Sequence, residues 1–182
     1  MNRQRLSRAT LIGVALLFLA PFIIALVLNR AGWHPAATRN NGVLIDPPQP
    51  LGELVLRDRA GAELPLVNQE HRFTLIVRLP AVCEEACVQR LDELFRLRYS
   101  LHRHASRLAI ALVAPAIMPD LPEVMHVLDE ESVERLHGAS PHLAAQVDWG
   151  GLLVDDKGYL MLEFPPDLPA RLVRRDLSRL IK

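Results

Sequence analysis

The chain has only two cysteines among its 182 residues, so any thiol chemistry must come from that single pair. Neither charge sign is in excess, with 21 basic against 21 acidic residues, and no basic patch of the kind that binds nucleic acid stands out. Internal repeats are absent. Between Ala9 and Leu28 there is no charged residue and only one hydroxyl, Thr10. A hydrocarbon core needs about 20 apolar residues to be crossed, so residues 9–29 read as a transmembrane helix. A cleaved signal peptide would have an apolar core of about 7 to 15 residues and a prompt small-x-small site. No such site follows Leu28, and an uncleaved anchor is expected. Pro21 lies inside the span, where membrane helices tolerate proline.

The head, residues 1–8, holds Arg3, Arg5 and Arg8 and no acid. The positive-inside rule therefore predicts a cytoplasmic N-terminus and an exported remainder. Without those arginines the chain has 18 basic against 21 acidic residues, about −3. In a bacterial cell this places a single-pass protein in the inner membrane with its C-terminal domain in the periplasm. That compartment is kept oxidising, so a lone cysteine pair can persist there as a disulfide.

Residues 30–51 are rich in Asn, Gly and Pro (Asn40-Asn41-Gly42, Asp46-Pro47-Pro48-Gln49-Pro50) and read as an extended linker. The rest, 52–182, has the size of one domain with one core. Short strands are expected around Leu54–Arg57 and Glu63–Leu66, and a buried central strand over His71–Leu79. A helix should run from about Glu84 to His104, with Cys87, Leu91, Leu94 and Leu101 at helical spacing. Arg107–Val113 then reads as the next buried strand, completing a right-handed βαβ unit. A proline-punctuated loop (Pro115, Pro119, Pro122) leads to a helix over Asp129–His137, with acids at its start and Gly138 after its end. Gly151–Phe164 makes a β-hairpin around Asp155-Asp156-Lys157-Gly158. Leu168–Leu180 makes a surface helix whose arginines form a solvated face.

Cys83 and Cys87 stand between the central strand and the long helix. Spaced by four, they are expected on one face of the helix's first turn, where free N–H groups and the dipole favour thiolate. Such a pair can close a disulfide or hold a soft metal. A purely structural disulfide is the plain alternative.

The order of hairpin, β, cysteine pair, α, β, α, ββ hairpin and terminal α resembles the thioredoxin fold: a central mixed sheet flanked by helices, here behind one transmembrane helix. Cys83-Glu84-Glu85-Ala86-Cys87 makes it similar to the Sco/SenC branch, membrane-anchored proteins that help assemble the copper centre of cytochrome c oxidase. The anchor, the Asn40-Asn41-Gly42-Val43-Leu44-Ile45-Asp46-Pro47 stretch and the Asp176-Leu177-Ser178-Arg179-Leu180 ending resemble small Sco-like proteins associated with bacterial oxidase assembly. The resemblance implies copper(I) as cofactor, a cytochrome c oxidase subunit or another assembly factor as partner, and Cys83 and Cys87 as copper ligands or as the thiol–disulfide exchange pair.

The family's third ligand is a histidine just before the hairpin, where this chain has Val147-Asp148-Trp149-Gly150. Tryptophan has no lone pair for a metal. His102 and His104 would lie about 22 to 26 Å along the helix from Cys87. His71 belongs at the far end of the central strand and His34 in the linker. His142, and after it His137, are the candidate substitutes. Losing the histidine weakens copper handling more than dithiol exchange, since two thiolates suit Cu(I) but Cu(II) wants a further ligand. By analogy with thioredoxin-like proteins Cys83 is the expected attacker. Glu84 and Glu85 oppose the dipole and raise the thiol pKa. The competing reading is a non-catalytic binding module that docks through Trp149 and keeps a structural disulfide.

Overall fold

The computed structural model describes residues 2–32, 40–114, 125–145 and 150–181, with side chains from residue 10 onward. The chain divides into two units, Met1–Arg39 and Asn40–Lys182. In the first, helix α1 (Asn2–Arg30) contains Pro21 without interruption, and its segment Thr10–Arg30 is long and apolar enough to cross a membrane. At 1.5 Å per residue these 21 residues span about 31 Å.

The second unit is organised by strand β4 (Phe73–Arg78), whose residues Phe73–Val77 are all buried. Burial on both faces is what a β-rich apolar run without alternation encodes. β4 pairs in parallel with β5 (Leu108–Val113), from Phe73 opposite Leu108 to Arg78 opposite Val113. Between them runs helix α2 (Glu85–Tyr99), which buries Cys87, Leu91, Leu94 and Leu97 at helical spacing. On the other side β4 pairs antiparallel with β7 (Gly151–Val154), and β7 with β8 (Tyr159–Phe164). At the β7–β8 turn Asp155 accepts the N–H groups of Lys157 and Tyr159. Gly158 sits there at φ +77°, with Gly52 O only 2.8 Å from where a Cβ would be.

The sheet order is β1-β8-β7-β4-β5-β6, with β1 (Val43–Pro50) and β6 (Met125–Val127) at the edges. Strands β2 (Val55–Arg57) and β3 (Glu63–Pro65) form a separate hairpin. One face of the sheet, with Phe73, Leu75 and Val77, packs on α2 and on α5 (Ala170–Leu180). The other, with Ile76, Ala109 and Ala111, packs on Leu136 of α3 (Glu130–Ala139) and Leu143 of α4 (Pro141–Ala144). Asp129 caps α3 by accepting the Ser132 N–H at 2.7 Å.

Three expectations are corrected. The linker does not extend to residue 51. Residues 43–50 are strand β1, pairing antiparallel with β8 from Val43 opposite Glu163 to Pro50 opposite Tyr159, with an irregular register between Leu44 and Gln49. Proline-rich sequence is extended in a linker and an edge strand alike, because an edge tolerates missing N–H donors. The long helix stops at Tyr99 rather than His104: His102 takes φ +51°, which no α-helix continues, and residues His102–Arg107 form a 3-10 turn. Cys83 precedes α2 instead of sharing its first turn. Strand β6 gave no sequence signal, three residues being too few to display a period.

Candidate functional site

Strand β4 delivers the chain to the sheet's C-terminal edge, where Leu79 N–H still bonds Val113 O at 2.8 Å. Residues 80–84 then turn into α2, with Glu84 at the N-cap position in an extended conformation. Cys83 and Cys87 are joined in a disulfide across this turn, their Cα atoms 5.1 Å apart. The two sulfurs are not equivalent. Cys87 lies in the core, 3 % exposed, whereas Cys83 is partly buried and packs against that core from its rim. Val82 and Val88, 70 % and 46 % exposed, flank the pair.

A group arriving from outside meets Cys83 at the rim before Cys87, which lies in the core. Glu84 occupies the N-cap position, but its side chain makes no capping hydrogen bond. The Glu84 carboxylate therefore does not cap the first turn, of which Cys87 is the third residue.

The histidines are dispersed. His71 Nδ1 lies 2.6 Å from Asp156 Oδ2 before β4, at its far end as expected. His102 and His104 sit beyond the end of α2. His126, on β6, pairs with Asp58 Oδ2 at 2.8 Å. His142 is exposed on α4, in the helical layer opposite α2, so the structure does not bring this expected third ligand to Cys83 and Cys87. Among the described residues no group of three or more His, Cys, Asp or Glu side chains gathers as a metal site. His34 and the segment of Val147, Asp148 and Trp149 lie outside the described residues.

His137 is otherwise engaged. Arg78 Nη2 lies 2.6 Å from its Nε2. Guanidinium only donates, so Nε2 accepts and the ring is neutral, its lone pair spent. Burial first, and then the Arg78 charge, hold the His137 pKa below the ordinary imidazole value. Arg78 Nε is itself buried without a hydrogen-bond partner among the described residues. A proton on His137 would therefore face an adjacent cation. Because the folded pKa is the lower one, the unfolded chain binds the extra proton first, so stability is lost as pH falls below about 6.5 and levels off below the folded pKa. His137→Gln should remove that part of the fall in Tm between pH 7.5 and 5; an unchanged profile would refute the assignment. Sequence reading took Arg78 for part of the central strand and missed this pair. A lone arginine ending an apolar buried run was the available signal.

A βαβ unit with a cysteine pair at the strand-to-helix junction, on a mixed sheet covered by helices on both faces, defines a thioredoxin-like protein. A family model described as transmembrane-like, thioredoxin-like, C-terminal domain matches residues 73–182, and the chain belongs to that family. No curated protein matches the sequence. Among solved structures the fold is similar to apo Sco1 from Thermus thermophilus (TM-score 0.53, 18% identity, covering 80% of this chain and 98% of that one). It is also similar to yeast Sco1 with copper bound (0.52, 14%, 79% and 93%) and to a thiol:disulfide interchange protein DsbE from Chlorobium tepidum, itself assigned tentatively (0.52, 13%, 76% and 99%). At these identities the likeness is one of fold.

Proposed function

We propose that the chain is a membrane-anchored, periplasm-facing, Sco-like assembly factor for cytochrome c oxidase whose Cys83–Cys87 pair carries out thiol–disulfide exchange at the oxidase copper site. The observation that carries the reading is the disulfide itself, with one sulfur at the rim and one in the core. The reduced pair acts in two steps. The Cys83 thiolate attacks a sulfur of the partner's disulfide, forming a mixed disulfide as the partner's other sulfur leaves and takes a proton. Cys87, deprotonated, then attacks Cys83 Sγ and releases the partner's second thiol. Two electrons pass to the partner, and the Cys83–Cys87 disulfide awaits a dithiol donor.

Cu(I) carriage is the second reading, favoured by the soft two-sulfur donor set and by the copper found in yeast Sco1. One experiment separates the readings. The reduced full chain in detergent is given either a peptide whose two cysteines form a disulfide or Cu(I) in competition with a chelator, without oxygen. Exchange is expected at least about tenfold faster than with free dithiol of equal thiolate content, given an exposed attacker and a nearby resolving thiol. Tight one-to-one Cu(I) binding without exchange would favour carriage. Neither activity would leave a structural disulfide.

A further inference from the structure

Helix α5 presents Arg171, Arg174 and Arg175 to solvent, and none has an acidic partner among the described residues. Arg171 and Arg174 line a groove of about 280 Å³ shared with Arg96 and Glu93 of α2, which are ion-paired along their own helix, Arg96 with Asp92 at 2.8 Å and Glu93 with Arg90 at 2.7 Å. The neighbouring groove, about 630 Å³, shares Arg96 and is lined by Phe95 and by Tyr99, which is 71 % exposed. The three α5 arginines without an acidic partner, with the exposed tyrosine in the adjoining groove, match a bilayer's headgroup level, where phosphates meet guanidinium groups and amphipathic rings settle.

A second observation concerns the buried side of the same helix. Asp176 of α5 is buried and accepts Asn41 N–H at 2.7 Å, Asn41 Nδ2 at 2.7 Å and Gly42 N–H at 2.9 Å. The start of the second unit, at Asn41 and Gly42, is therefore pinned to α5. Ten residues, 31–40, separate Arg30 from Asn41, a covalent reach of at most about 35 Å.

From the unpaired arginines of α5, the shared grooves and the clasp at the start of the second unit, we propose that the α2–α5 face, through Arg96, Tyr99, Arg171, Arg174 and Arg175, lies on an anionic lipid surface. It goes beyond the exchange reading and is independent of the cysteines. The solvated face expected from sequence becomes a membrane-contacting one.

The test uses the full chain carrying Ser178→Cys, on the exposed face of α5, labelled with an environment-sensitive fluorophore while Cys83 and Cys87 remain oxidised. It is reconstituted into phosphatidylcholine vesicles with or without about 30 % phosphatidylglycerol. Iodide quenching should fall roughly twofold or more in the anionic vesicles, and the difference should vanish in about 0.5 M NaCl and in Arg171→Gln/Arg174→Gln/Arg175→Gln. Equal quenching in both membranes, or a difference that survives the triple substitution, would overturn the proposal. Inorganic phosphate abolishing the difference where chloride of equal ionic strength does not would assign the groove to a free anion and overturn it too.

Discussion

Cys87→Ser should convert the protein into a trap, accumulating a mixed disulfide with its partner through Cys83, while Cys83→Ser should form none. The expectation follows from exposure: Cys83 stands at the rim and Cys87 is 3 % exposed within the core. With the resolving sulfur gone, the intermediate has no intramolecular exit, and its lifetime is set by outside thiols. Turnover should fall by more than about 100-fold in both variants, since a neighbouring thiol at high effective concentration is replaced by a bimolecular step. The check is a non-reducing gel of the full chain incubated with an oxidised dithiol peptide, with mass spectrometry locating the bond. A bond formed through Cys87 in Cys83→Ser, at the same rate, would reverse the assigned roles. Comparing each variant's Tm with the reduced wild type separates lost chemistry from lost stability, and a structural disulfide would show only the latter.

Asp176→Ala should give the largest stability loss of any single polar substitution outside the cysteines. Three donors near the chain's entry to the domain converge on this buried carboxylate. Charge-assisted bonds contribute about 1.5–3 kcal/mol each, but Asn41 is only partly buried and water can take over its two donors, so a net loss of about 3 kcal/mol is expected. For a domain of this size that is a fall in Tm of about 10 °C. Asp176→Asn, which keeps an acceptor but no charge, should recover roughly half of it. A fall below about 3 °C in Asp176→Ala would mean that solvent replaces the carboxylate without penalty.

The same clasp explains why part of the fold was illegible. Unbroken apolar runs, helical spacing and turn residues exposed β4, α2, β5, α3, the β7–β8 hairpin and α5, because in each the pattern reports how the element is buried. Strand β1 is held instead by pairing with β8 and by Asn41 and Gly42 on Asp176, the latter contacts spanning 135 and 134 residues. No local pattern encodes such a partner, and Pro47, Pro48 and Pro50 argue for a linker when read alone. The site was legible to the same degree. A cysteine pair after a buried strand marked the site and left disulfide and soft-metal binding both open, but which sulfur is reachable depends on where α2 begins. His142 looked available because sequence places it near Trp149, whereas α4 packs on the opposite face of the sheet from α2.

The prolines of β1 have one more effect. An anchored protein meets its own copies at high density in two dimensions, where an open sheet edge would recruit a second chain into a growing ribbon. Three of the eight residues in β1 have no N–H to donate, and the opposite edge, β6, is only three residues long. Both rims are thus poor templates for intermolecular strand addition, and crowding in the membrane plane need not lead to aggregation.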